Sequence, residues 1–303
     1  MFVLAHLSDP HLAPLPAPRP AELAGKRLLG FVNWRLRRRA CHRRAVLDAL
    51  VADVAAAAPD HVAVTGDLIN LALEAEFEPA RAWLARLGAA DRVTAVPGNH
   101  DIYVRATAHR AAGAWAAHMS DTELGDAEPA QRPLRFPFVR RRGPLALIGL
   151  CTALPTGPLL ASGEVGPEQT ARLAALLPQL AAEGAFRVVL MHHPPLGRRA
   201  RHKRLVDASA LTRVLAEHGA ELVLHGHDHL HALNWLAGPN GRVPFIGVPS
   251  SSSAVANRHD DLAAYNLYRI TGEPGAWRCE MVVRGMRAGG GSLVELERRT
   301  LIG

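Results

Sequence analysis

The chain has 303 residues, 49% of them apolar and 21% charged, which is ordinary for a globular protein with a core that needs no staples and excludes a disordered or low-complexity chain. The formal charge of +7 is not spread evenly: Lys26, Arg27, Arg35, Arg37, Arg38, Arg39, Arg43 and Arg44 contribute eight positive charges between residues 26 and 44 with no acid among them, so the remainder sits near −1. Three scattered cysteines, Cys41, Cys151 and Cys279, exclude a disulfide framework and fit a reducing compartment, and no uninterrupted apolar run is long enough to cross a bilayer.

In chain order, residues 2–7 read as a buried strand ending at Asp9 and His11. This stretch has no basic lead and too short an apolar run for a signal peptide, and none is expected. Pro14 to Pro20 forms a proline-rich surface loop. In residues 26–44, Leu28, Phe31, Val32 and Leu36 make a stripe at helical spacing, with Leu29 and Trp34 beside it and arginines elsewhere. An apolar face with an aromatic anchor and basic flanks is the composition of an interfacial helix, and equally of a solvated helix lying over its own core. Nucleic acid is not expected, because no aromatic platform or recognisable binding motif accompanies the arginines.

Val46, Leu47, Leu50, Val51 and Val54 predict a helix over 43–57 packed on a sheet, followed by a strand at 61–65 with Gly66-Asp67 at its tip. A helix over 76–87, a strand over 92–96 and then Gly98-Asn99-His100-Asp101 continue the alternation expected of βαβ crossovers. Residues 102–118 read as helix and 119–133 as a surface loop. Strands are expected at 145–152, 187–191 and 221–224, and helices at 166–180, opened by Pro167, and at 207–218. After His229 the texture becomes strands at 231–235, 243–248, 265–270 and 277–283 separated by turn residues, read as an antiparallel half completing a second sheet.

Five polar clusters follow the apolar strands: Asp9-Pro10-His11, Gly66-Asp67, Gly98-Asn99-His100-Asp101, His192-His193-Pro194-Pro195 and His225-Gly226-His227-Asp228-His229. Sites of open α/β sheets lie at such strand ends. In an extended segment, residues two apart point the same way, so His227 and His229 can face one site. Singly, each cluster is equally a turn or cap. Together they supply Asp, Asn and His donors without Cys, a set suited to manganese, iron or zinc rather than to a structural zinc knot.

This series, D-x-H, G-D, G-N-H-D, H-H-P and G-H-x-H, resembles the calcineurin-like metallophosphoesterase family over residues 9 to 229. The resemblance implies an α/β fold, a four-layer α-β-β-α sandwich of two mixed sheets flanked by helices. A dinuclear metal site would lie at the strand ends, in one domain spanning 1–303 with a basic amphipathic insertion at about 26–44. By the same resemblance Asp9, His11, Asp67 and His229 would hold one metal ion (Mn2+, Fe2+/Fe3+ or Zn2+), and Asp67, Asn99, His192 and His227 a second. Hydroxide bridging the two metals would attack phosphorus. His100 would stabilise the transition state and protonate or hydrogen-bond the leaving oxygen, and Asp101 would orient His100. His193 and His225 have no place among these ligands and read as packing residues.

The sequence texture resembles the bacterial branch that includes class III cyclic-nucleotide phosphodiesterases. That implies a cytoplasmic phosphodiesterase acting on an anionic phosphoester. A hydrolase of a nucleotide-diphosphate-linked lipid, peripheral to the inner membrane through an anionic surface contact of residues 26–44, is the alternative. A catalytically inactive scaffold is the competing class. Arg198, Arg199 and Arg201, close after His192, form either a substrate-binding loop or a solvated one.

Overall fold

The computed structural model describes residues 1–120, 134–197, 200–289 and 291–303. Two six-stranded mixed sheets form the centre. The first has the strand order β12-β11-β10-β1-β2-β3 and the second β4-β5-β6-β7-β9-β8. In the first, β1 (Phe2–Leu7) runs parallel to β2 (His61–Val64), which runs parallel to β3 (Val93–Ala95). The other edge of β1 pairs antiparallel with β10 (Ala264–Thr271), followed by β11 (Arg278–Met286) and β12 (Leu293–Ile302). In the second sheet, β5 (Leu145–Gly149), β6 (Phe186–Leu190), β7 (Leu222–His225) and β9 (Gly241–Gly247) run parallel, while β4 (Phe138–Arg142) and β8 (Ala232–Gly238) are antiparallel edges.

Alternation along the strands joins the layers. Leu145 and Leu147 turn inward with Phe186, Val188 and Leu190 to share a core with Leu4 and Leu7 of the first sheet. Ala146 and Ile148 turn outward with Val189, against Leu173, Leu177 and Leu180 of α6 (Pro167–Ala182) and Leu211 and Leu215 of α7 (Ala208–His218). Leu47, Leu50 and Val54 of α3 (Arg44–Ala57) and Trp83 and Leu84 of α4 (Phe77–Leu87) belong to the first sheet's core.

Several sequence expectations need correction. The strands after His229 do not form one antiparallel half: β8 and β9 extend the second sheet, whereas β10, β11 and β12 complete the first. The helical stretch over 102–118 shortens to α5 (Ala108–Trp115), flanked by 3-10 turns. Most of the loop expected at 119–133 lies outside the described residues. Residues 26–44 are α1 (Lys26–Asn33), a π-helical turn over Trp34–Arg38 and the single turn α2 (Arg39–Cys41). Of the six apolar residues there only Trp34 is buried; Leu28, Leu29, Val32 and Leu36 face outward.

The parallel strands of both sheets deliver their C-terminal ends to one edge. Asp9 N donates to Gly66 O at 3.0 Å, Gly226 N to His192 O at 3.1 Å, and His227 N reaches Asp9 Oδ2 at 3.0 Å, stitching one sheet's loops to the other's.

Candidate metal centre

All seven expected ligands meet at this edge, and the backbone is bent to aim them. Asp9, His11, Asp67, His227 and His229 have φ of 51°, 37°, 55°, 72° and 56°, a region non-glycine residues seldom occupy. Such strain persists where the surrounding structure over-determines it, typically at functional sites. Two glycines let the loops close up: a Cβ on Gly98 would overlap the Asp67 carboxylate and amide, and one on Gly226 would overlap Ser8 Oγ and the Asp9 carboxylate.

On one side, His229 Nε2 lies 3.3 Å from Asp9 Oδ1, while His11 Nε2 lies 3.7 Å from Asp9 Oδ1, 3.7 Å from Asp67 Oδ2 and 3.2 Å from His229 Nε2. On the other, His192 Nε2 is 3.4 Å from Asp67 Oδ2 and 3.2 Å from Asn99 Oδ1, and His227 Nδ1 is 2.9 Å from Asn99 Oδ1. Asp67 sits between the two groups. Asp9, His11, Asp67, Asn99 and His192 are all buried.

The donor set fits metal ions. The far nitrogens of three rings are already engaged: His11 Nδ1 with Ile69 O at 3.2 Å, His192 Nδ1 with Thr65 O at 2.7 Å, and His229 Nδ1 with Asp260 Oδ1 at 2.8 Å. That fixes the ring orientation and leaves each Nε2 facing the cluster. Asp9 Oδ1 is buried with no hydrogen-bond partner. The charges also call for cations. Burial alone would lower the His192 pKa, but the Asp67 carboxylate raises it to about 10; burial is likewise overcome at His229 by Asp9 and Asp260, to about 9. Protons thus occupy these two rings beside the buried carboxylates of Asp67 and Asp9. Burial, reinforced by neighbouring cationic groups, holds His11 and His227 well below the usual imidazole range, as neutral donors.

His100 lines the cleft above the cluster, stacked 5.3 Å from Tyr103. Its Nδ1 bonds to Asn70 O, so the proton sits there and Nε2 accepts from Arg38 Nη1 at 2.7 Å. Burial, then Arg38, pushes its pKa down to about 3. The expected Asp101–His100 contact is replaced by another arrangement. Asp101 Oδ1 accepts from Leu68 N at 2.8 Å and Ile69 N at 3.2 Å, and Oδ2 from Gly98 N at 2.8 Å. Asp101 ties the two ligand loops together, and a backbone carbonyl orients His100.

Of the three arginines expected at the substrate, Arg198 and Arg199 lie outside the described residues. Arg201 is exposed, and among the described residues of its loop the basic groups His202 and Lys203 line the cleft. His193 is held by Thr152 Oγ1 at 2.8 Å and Ala161 O at 3.2 Å, a packing role. His225 lies buried at the end of β7, its Nδ1 3.3 Å from Gly226 O.

Three residues complete the centre without having been singled out as site residues. Asp260 holds His229. His42, bonded to Ser252 Oγ at 2.9 Å, places its ring 4.6 Å from that of His11. Arg38 lines the cleft, and its Nη2 is buried without a partner. A Ser-rich turn after β9 is the one sequence signal for His42's surroundings; Asp260 and Arg38 had none. The cleft over the cluster, about 240 Å³, shares Asn33, Arg38, Asn99, His100, Ala161 and Lys203 with an adjoining cleft of about 370 Å³. The second is lined by Leu29, Trp34, Leu71, Tyr103, Leu159 and Leu160.

The family model described as calcineurin-like phosphoesterase matches residues 2–231. A comparison with curated protein sequences finds no match. Among solved structures, a dimetal phosphatase from Danio rerio superposes with a TM-score of 0.61 at 14% identity, over 99% of this chain and 98% of that one. Purple acid phosphatase PPD1 from yellow lupin gives 0.58 at 11% identity, over 97% of this chain and 52% of that one. A 5'-nucleotidase precursor from Thermus thermophilus gives 0.52 at 17% identity, over 92% and 54%. At these identities the likeness is one of fold, and it singles out no branch.

Proposed function

This chain belongs to the calcineurin-like metallophosphoesterase family, and on that premise we propose that it hydrolyses a phosphodiester. Asp9, His11, Asp67 and His229 would hold one transition-metal ion and Asp67, Asn99, His192 and His227 a second, with manganese, iron or zinc suiting these nitrogen and oxygen donors. Bound there, the pair supplies Lewis acidity and a nucleophile at neutral pH.

The chain's own groups do the rest. Asn99 contributes a neutral oxygen, which limits the negative charge of the centre. Arg38 presents Nη2 to a phosphoryl oxygen, with His100 bracing Nη1. The observation that carries the diester reading is the continuity of the two clefts: past His100 the polar cleft opens into one with apolar walls, room for a second ester substituent that a monoester lacks. Three free cysteines support a reducing, cytoplasmic setting, and no helix among the described residues is long and apolar enough to cross a membrane.

Turnover of bis(p-nitrophenyl) phosphate and of p-nitrophenyl phosphate by the manganese-loaded protein tests this. Metal-dependent turnover that is faster on the diester is expected. Faster monoester turnover makes the protein a phosphomonoesterase. If neither ester turns over, or if Asp67→Ala and Asn99→Ala match the wild type, the reading is overturned.

A further inference from the structure

We propose that the mouth of this centre docks on an anionic bilayer and takes its phosphoester from a lipid. The inference rests on the phosphohydrolase reading above and names the substrate class.

Among the described residues nine large apolar side chains are exposed, and six belong to the two lips of this mouth: Leu28, Leu29, Val32 and Leu36 on one, Leu159 and Leu160 on the other. Their exposures run from 44% at Leu160 to 80% at Leu159. Scattered exposed leucines need no explanation, but a cluster around a functional opening marks an interaction surface. The lips are joined by Lys26, whose Nζ donates to Thr156 Oγ1 at 2.6 Å and to Leu160 O at 3.0 Å. Leu29, Leu159 and Leu160 line the cleft that holds His100 and Arg38, while Leu28, Val32 and Leu36, spaced four apart, continue the apolar surface outward.

The way α1 is held explains why this stripe faces out. Arg27 and Trp34 turn inward; Arg27 donates to Leu71 O at 3.0 Å and also to Ala72 O. These contacts hold one face of α1 and of the turn after it against the protein and leave Leu28, Leu29 and Val32 uncovered.

Charge identifies the occupant. Arg35 and Arg39 are exposed beside the stripe and have no carboxylate partner among the described residues, whereas Arg44 is paired with Asp48. Apolar side chains interleaved with unpaired arginines complement an anionic bilayer, which offers acyl chains below and phosphates above. A second copy of this face would bring the same arginines against one another. A lipid's acyl chains would lie along Leu29, Leu159 and Leu160 while its phosphoryl group reaches Arg38. A water oxygen then bonds to phosphorus as the P–O ester bond breaks; one water proton passes through solvent to the departing alkoxide, which leaves as the alcohol, and the other hydrogen stays on the phosphomonoester product or ionises from it.

The experiment pairs sedimentation with turnover. Full-length, manganese-loaded protein is spun with vesicles of phosphatidylcholine, with or without phosphatidylglycerol. It is assayed on p-nitrophenyl hexadecyl phosphate carried in those vesicles and on methyl p-nitrophenyl phosphate in solution. The wild type is expected to pellet with the anionic vesicles and to prefer the long-chain ester. Combined Leu28→Ser, Val32→Ser and Leu36→Ser, none of which lines either cleft, should abolish pelleting and lower vesicle turnover on the order of tenfold or more, leaving the methyl ester unchanged. Arg35→Ser with Arg39→Ser should weaken binding by about fivefold per charge, and added salt should act the same way.

Wild type that stays in the supernatant at low salt, or a triple variant that pellets normally, overturns the proposal. So does a solution dimer that the triple variant dissociates, which would make this a self-association face. Absence of turnover on both esters in the wild type would instead sink the hydrolase reading, a result the sedimentation arm does not touch.

Discussion

Arg38 Nη1 donates to His100 Nε2 at 2.7 Å, and Arg38 Nη2 is buried with no partner. A desolvated guanidinium half satisfied by a neutral ring is costly unless a second anion completes it. The residue ends the π-helical turn that follows α1, and such turns recur at functional sites because the widened turn re-aims one side chain. Replacing Arg38 with Met should lower kcat/KM on bis(p-nitrophenyl) phosphate by roughly 100-fold, the loss typical of one transition-state donor, while the melting temperature stays level or rises. Arg38→Lys should recover little, because the ammonium lacks the fork that spans ring and substrate. In a double-mutant cycle Arg38→Ala and His100→Ala should be non-additive, since the two act as a unit.

Metal affinity should rise with pH. His192 and His229 have folded pKa values of about 10 and about 9 against an unfolded 6.5. In the metal-free chain their protonation contributes stability that is fully present below pH 6.5 and is lost as pH rises through 9 to 10. A metal ion competes for the same nitrogens, so its binding gains as those protons leave. Melting of the chelator-treated protein should therefore fall from neutral pH upward, and the gain on adding manganese should grow over the same range. Asp67→Ala should remove that gain, since this carboxylate lies between both groups of candidate ligands. Calorimetry with and without metal reads both.

Asp101→Asn separates two roles for this carboxylate. Asn keeps an acceptor for Leu68 N and Ile69 N but turns an NH2 toward Gly98 N, leaving a buried donor without a partner. A stability loss of about 1–3 kcal/mol is expected, along with weaker metal binding. The pH profile of residual turnover should be unmoved, because the Asn70 carbonyl, not Asp101, fixes the His100 tautomer. A shifted profile would restore the direct partnership.

Close approach makes Gly98 and Gly226 irreplaceable. Alanine at either position should remove metal binding and lower turnover by at least two orders of magnitude, since the added carbon meets Asp67 or Asp9. Gly113 in α5 has open space and ordinary backbone, so Gly113→Ala should be neutral or stabilising by up to about 1 kcal/mol. Metal content by atomic emission and thermal melts distinguish the three.

The convergence of the seven candidate ligands was legible because each is a polar residue placed directly after a short apolar run, and parallel strands bring such positions to one edge. Asp260, His42 and Arg38 were not, because each reaches the centre from a segment whose local pattern says nothing about it; Arg38 is one arginine in a run whose neighbours face solvent. The strand β4 was hidden by Arg140, which is buried because it donates to the carbonyls of Ala90, Val93, Ser120 and Ala117. The strand β12 was hidden because, as an exposed edge, it carries charges on both faces. Periodicity found the stripe on α1 but could not give its direction: spacing defines a face, and only the packing of Arg27 and Trp34 determines what that face meets.

Asp260 gives the sharpest test of how the centre is supported. It belongs to a turn in which Asn257 Oδ1 accepts from His259 N and Asp260 N, and Asp261 N donates to His229 O at 2.9 Å. The turn is therefore anchored to the ligand's backbone independently of the carboxylate. Removing the carboxylate as Asp260→Ala leaves that anchor but frees His229 Nδ1, so the ring can rotate or change tautomer, and its basicity falls. Metal affinity should drop by roughly 10- to 100-fold on the side of Asp9, His11 and His229, with the fold intact. Asp260→Asn, whose side-chain oxygen can still accept from Nδ1 but carries no charge, should fall between the two. Titration of the apo-protein with manganese should then resolve two classes of site, the weakened one and the one held by Asn99, His192 and His227. Equal weakening of both would mean that the two sites are coupled through Asp67 more strongly than through their own histidines.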